Sequence, residues 1–182
     1  ELRTISLNFR RISSNLLSSD EESADVNLYR MMNFIEKTPF IHDLVYDAIG
    51  QVEYDFRTCF PINPSEWTSR NIPADEECHI KAIYDYVRYI IDKQSTNVLG
   101  QAMQYSWEMG ETCTDIIRKF LQDTVKPLIN YINDGISREM ILLEDEKKVL
   151  PPMTQTIGTV NGPVIQQGHG SIVVNTKNGV SA

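Results

Sequence analysis

The sequence predicts a mainly α fold: a helical domain of about six helices over residues 1–150, followed by a short Gly/Val-rich β tail over residues 151–182. Three observations predict it. Apolar residues before position 150 recur at alternating spacings of three and four, which places them on one face of a helix. Composition then changes at Pro151-Pro152. Residues 1–150 hold all 25 acidic residues, 16 of the 17 basic ones and every aromatic, whereas residues 151–182 hold five of the nine glycines and one charge, Lys177. Finally, 41% hydrophobic and 23% charged residues are enough to build a core and exclude wholesale disorder.

The first helix is read from Leu2, Ile5, Phe9, Ile12 and Leu16, spaced 3, 4, 3 and 4. Ser18-Ser19-Asp20-Glu21-Glu22-Ser23 interrupts it as a solvated loop. Val26, Tyr29, Met32 and Ile35 mark the buried face of a second helix. Thr38-Pro39 is a helix start, because Pro at the first helical position gives up no needed hydrogen bond. Ile41, Leu44, Val45, Ala48 and Ile49 follow at helical spacing, and Gly50 is placed to cap the end. Residues 51–74 read as irregular, broken by Pro61, Pro64 and Pro73, with Phe56, Phe60 and Trp67 pinning them to the core.

Asp75-Glu76-Glu77 suits a helix N-terminus, where the dipole favours negative charge. That helix runs to about Lys93 with Ile80, Ile83, Tyr84, Val87 and Ile91 on one face. Ser95 or Thr96 then caps a helix reaching Gly110. The last helix starts near Thr112, and Pro127 should kink it or divide it in two before it ends near Glu146. In the tail, Asn161-Gly162 between β-branched runs signals a turn, although Pro163 weakens a tight hairpin there. Gly168-His169-Gly170 reads as a second corner. Three short strands lacking Leu and aromatics cannot supply their own core.

Charge and motifs narrow the function classes. A net charge of −8 makes a large phosphate-backbone interface a poor expectation, so nucleic acid is an unlikely partner. No apolar run approaches the roughly 18 residues of a membrane span, and residues 1–11 do not resemble a signal peptide. With no initiator Met, the chain reads as a trimmed product or a fragment, and a cytoplasmic location is expected. Cys59, Cys78 and Cys113 form no CxxC pair and read as free thiols of a reducing compartment. Nucleotide-binding GxGxxG and GxxxxGK[ST], zinc-protease HExxH and hydrolase GxSxG motifs do not occur. No cofactor and no metal are expected.

Three acidic groupings warrant attention. Asp43 and Asp47 stand at i and i+4 beside His42, spacing that could give half of a metal site and otherwise a solvated face. Asp75 and His79 have the same spacing and read as a surface pair. Glu108, Glu111 and Asp115 flank Gly110, which should break their register.

Met32-Asn33-Phe34-Ile35-Glu36-Lys37-Thr38-Pro39-Phe40-Ile41 and Val125-Lys126-Pro127-Leu128-Ile129-Asn130-Tyr131-Ile132 resemble segments of uncharacterised helical proteins of bacterial mobile-element and phage-defence, abortive-infection-like loci. The tail stretch Ile157-Gly158-Thr159-Val160-Asn161-Gly162-Pro163-Val164 is similar to Gly/Asn-rich β segments of such proteins. The resemblance implies a bacterial or prophage setting and carries over no catalytic residue. Small helical RNases of toxin systems carry Arg, four to six residues, then His. Arg70 and His79, with eight residues between them, do not match that pattern.

The expected function is therefore a non-enzymatic protein-interaction or regulatory module. Its helical body binds a protein partner. Its tail makes a homo-oligomer through Ile157, Val160, Val164, Ile165, Ile172, Val173 and Val174. The alternative is a toxic or hydrolytic effector whose site assembles from scattered carboxylates and His, with Asp43 and Asp47 the leading candidates. A third reading is small-molecule sensing between helices near Trp67 and Trp107.

Overall fold

The computed structural model describes residues 1–62, 70–93, 96–106 and 108–149, and the chain divides into two units, Glu1–Leu142 and Leu143–Ala182. The predicted tail, including all seven assembly residues, lies outside the described residues, as do Trp67 and Trp107. The described part is helical, with eight helices where six were expected.

Helix α1 (Leu2–Leu17) and α2 (Ala24–Lys37) form an antiparallel hairpin, with Phe9 stacked on Phe34 at 6.3 Å. The α1 stripe is as read: Phe9 and Leu16 are fully buried, and Leu2, Ile5 and Ile12 pack against the core. The loop between them is less solvated than expected. Ser19 is buried, donating to Asn15 O at 2.9 Å and accepting from Asn27 Nδ2 at 2.9 Å. The face assigned to α2 is wrong in part. Val26 and Tyr29 are 49% and 57% exposed, while Ala24, Leu28, Met31, Met32 and Ile35 are buried. A strict spacing of three slips by about 60° per step round a helix, so Val26-Tyr29-Met32-Ile35 cannot stay on one face. Ala24-Leu28-Met31-Ile35 alternates four and three and does stay.

Helix α3 (Pro39–Ile49) begins at Pro39 and is closed by Gly50, in ordinary right-handed backbone at φ −64°. Helix α4 (Phe56–Cys59) is one turn that the proline-rich segment concealed. Asp55 caps it by accepting from the Arg57 N–H at 3.0 Å. Helix α5 (Glu76–Asp92) starts where the acidic run indicated, with the Asp75 carboxylate accepting from the Cys78 N–H at 2.9 Å.

Helix α6 (Val98–Ser106) is shorter than read; Ser95 lies outside the described residues, and Thr96 does not cap it. Asn97 Oδ1 accepts from the Gly100 N–H at 2.7 Å, and Asp25 Oδ1, from α2, accepts from the Val98 N–H at 2.8 Å. Thr96 instead serves the end of α5, donating to Lys93 O at 2.8 Å. Gly110 takes φ +93°, the left-handed region glycine tolerates, and sets the turn into α7 (Cys113–Thr124). Helix α8 (Lys126–Val149) follows after one residue, Val125. Pro127 falls in its first turn, where a missing N–H costs no helical bond, and of the two expected outcomes, a kink or a division, the division holds.

One core joins these helices. Tyr86 of α5 stacks on Phe60 at 4.3 Å and 8°, and presents an edge-to-face contact with Phe120 of α7 at 6.4 Å. Its hydroxyl donates to Gln101 Oε1 of α6 at 2.6 Å. Phe56 packs on Tyr86 and Tyr89 at 5.9 and 5.5 Å. Tyr105 of α6 donates to the Pro61 carbonyl. The segment after α4 is tied back by Arg70, which donates to Thr124 Oγ1 at 2.8 Å and Asp123 Oδ2 at 2.9 Å.

Elsewhere α8 approaches α3 closely at Gly135, where a Cβ would run into the Leu44 side chain.

Two expectations follow. Ile83→Ala, Val87→Ala or Phe120→Ala should each lower stability by about 2–5 kcal/mol in urea denaturation, since all three are fully buried; losses below about 0.5 kcal/mol would contradict this packing. Gly135→Leu should cost about 1–3 kcal/mol by overpacking, and adding Leu44→Ala should recover part of it. If Leu44→Ala only adds to the loss, the close approach is not there.

Candidate functional site

One of the sequence candidates, the His42 and Asp43 grouping, lies on the face where α2, α3 and α5 pack together. His42 Nδ1 lies 3.1 Å from Asp43 Oδ1, and the His42 ring stacks on Tyr46 at 4.2 Å. Tyr46 meets Tyr84 of α5 edge-on at 5.9 Å, their hydroxyls 3.5 Å apart. The Tyr84 hydroxyl donates to Glu36 Oε1 of α2 at 3.4 Å, and the same carboxylate pairs with Arg88. Arg88 also reaches Asp92 at 3.4 Å.

Helical spacing builds this chain of contacts. His42 and Tyr46 are one turn apart on α3, and Tyr84, Arg88 and Asp92 follow at successive turns of α5. Burial pushes the Tyr84 phenol well above its usual range, and Tyr46 and Glu36 push the same way. Tyr46 and His42 present partly exposed rings held in place from beneath, the composition favoured at protein interfaces. Sequence reading found His42 and Asp43 because they are neighbours. It missed Glu36 and Arg88, which are 52 positions apart and meet only through the fold.

The other acidic groupings are absorbed by local structure. Asp75 caps α5 and, among the described residues, makes no ion pair with His79. Burial lowers the His79 pKa, opposed by Glu76. Glu108 pairs with Lys119, and Asp115 accepts from the Thr112 hydroxyl at 2.6 Å. Among the described residues, no group of three His, Cys, Asp or Glu side chains is placed to hold a metal ion, and Asp47 adds nothing to His42 and Asp43 in that respect. No described helix is long and apolar enough to cross a membrane.

A second surface lies at the end of α8. Ile141, Leu142 and Leu143 are three consecutive apolar residues, 58%, 58% and 38% exposed.

The chain matches no protein-family model, no curated protein and no solved structure.

The cysteines differ sharply in environment. Cys59 is buried, and burial pushes its thiol up to about 11, with Arg70 opposing. Cys78 is half-buried, and burial followed by its hydrogen bond to Asp75 raises it as well. Cys113 is exposed. With a chromogenic disulfide reagent near pH 8, Cys113 should react fast and Cys59 only after denaturation, because the thiolate is the nucleophile. Cys113→Ser should remove the fast phase. Rapid native-state labelling of Cys59 would contradict the burial.

Proposed function

We propose that this chain is a non-enzymatic protein-interaction module whose helical body engages a protein partner and whose C-terminal region joins copies of the chain. The observation that carries this reading is the exposed pair Ile141 and Leu142 on α8. Contiguous exposed apolar surface marks an interaction site more often than scattered single residues do. The sequence beyond it has one charge in residues 151–182, so it lacks the usual protection of strand edges against pairing with another chain. A second copy supplies an identical apolar surface, and symmetric closure covers both. The preorganised Tyr46, His42 and Arg88 face supports partner binding by the body, since rigid aromatics and Arg dominate interface energetics. A cytoplasmic, bacterial phage-defence setting is the context that the sequence resemblance implies.

Light scattering on the full chain tests the assembly. Its mass should rise with concentration through the micromolar range and fall to that of one copy when the chain is cut after Leu150. Ile141→Glu with Leu142→Glu in the full chain should raise the dissociation constant at least about tenfold, because two apolar side chains lose their burial. A full chain that is monomeric at high micromolar concentration would overturn the proposal. So would an assembly unchanged by both the cut and the double substitution.

A further inference from the structure

Helix α3 turns one face outward on which aromatic surface and negative charge stand together. Tyr46 is 44% exposed, and the side chains of Asp43 and His42 are 74% and 39% exposed. Asp47 is exposed as well. At about 100° per residue, the order round the helix is His42, Tyr46, Asp43 and Asp47, all within about 140°. Asp43 meets the His42 imidazole, and among the described residues neither Asp43 nor Asp47 pairs with a Lys or Arg.

The ring on this face is fixed in advance. Tyr46 stacks on His42 at 4.2 Å and meets Tyr84 edge-on at 5.9 Å, so a partner laid against it freezes little further motion. The charge around it is mostly of one sign. Burial raises the Tyr131 phenol of α8, Arg138 opposes, and Glu76, Glu77 and Asp47 push it up further, which brings three carboxylates from α3 and the start of α5 into range of one hydroxyl.

These features choose between partners. An apolar segment would cover Tyr46 but bury two carboxylates without counterions, at uncompensated desolvation cost. An acidic segment would meet like charge. A guanidinium suits both parts of the face: it is planar and positive, lies against an aromatic ring, and donates two parallel N–H bonds to a carboxylate. A chain of net charge −8 also draws a cationic partner in.

We propose that the outer face of α3 docks an arginine-bearing segment of a partner protein, its guanidinium groups lying on Tyr46 and pairing with Asp43 and Asp47. This rests on the reading that the helical body engages a protein partner, and it names the chemistry of that partner.

Fluorescence anisotropy of labelled, end-blocked hexapeptides tests it on the full chain, with hexaarginine, hexalysine, hexaglutamate and a Gly-Ser repeat as probes. Hexaarginine should bind with a dissociation constant below about 100 μM at about 50 mM salt, at least about tenfold tighter than the Gly-Ser peptide and at least about threefold tighter than hexalysine. Asp43→Asn with Asp47→Asn should weaken it at least about tenfold and Tyr46→Ser at least about threefold, while Tyr46→Phe keeps the ring and should bind as the parent does. Glu21→Gln with Glu22→Gln, at exposed positions between α1 and α2, removes the same charge elsewhere and should change binding less than about twofold. Four results would overturn the proposal: no hexaarginine binding at about 1 mM, hexalysine binding as tightly, no effect of Tyr46→Ser, or equal weakening by the Glu21–Glu22 and Asp43–Asp47 pairs, which would mean attraction to the chain as a whole. Tyr46-dependent binding of hexaglutamate or the Gly-Ser peptide in place of hexaarginine would also overturn it, while leaving the partner-binding reading standing.

Discussion

Tyr86 sits where the middle of the chain is held together, and the arrangement of α4 to α7 depends on how it is satisfied. A buried tyrosine must place its ring against apolar surface and its hydroxyl on a partner. Here the ring lies flat on Phe60 and edge-on to Phe120, and the hydroxyl reaches Gln101. Those three residues come from the segment after α4, from α7 and from α6. Satisfying one side chain therefore fixes three other parts of the chain relative to α5. Tyr105 and Arg70 reinforce the same junction from either side, through the Pro61 carbonyl and the Thr124 hydroxyl. The described residues between α3 and α5 are thus anchored by aromatic stacking and hydrogen bonds.

This junction also explains what could be read from the sequence and what could not. Local signals were reliable where a residue acts on its own helix. Thr38-Pro39 starts α3, Asp75 caps α5, Thr112 caps α7, and the α1 stripe buries as its spacing requires. They failed where the deciding partner is distant. The Val98 N–H at the start of α6 is satisfied by Asp25, 73 positions away, so the Ser95 and Thr96 reading had no means of finding it. The buried face of α2 was misassigned because Val26 and Tyr29 are apolar enough to suggest a core, while the smaller Ala24 actually enters it. Helix α4 was hidden because a single turn leaves no periodicity.

The candidate surfaces show the same division. His42 and Asp43 were visible as neighbours, but the aromatic and ionic ladder that stiffens them needs α2 and α5 to be in place. Ser13 looks like an ordinary helix-surface residue, yet the fold leaves it 3% exposed. In physical terms, the helical body leaves Ser13, Ser106, Glu111 and Asn133 with buried polar atoms that have no partner among the described residues, and it leaves apolar residues of α8 facing solvent. Such exceptions are where function concentrates in proteins that are otherwise consistent across levels.

The coupling between Phe60 and Tyr86 tests the central claim most directly. A double-mutant cycle with Phe60→Leu, Tyr86→Leu and the pair, followed by urea denaturation, isolates the stacking energy from simple loss of buried area. If the ring contact organises this part of the chain, the cycle should give a coupling of about 0.5–1.5 kcal/mol. Additive effects, with a coupling of about zero, would show that Phe60 and Tyr86 contribute only as independent apolar bulk and would contradict the account.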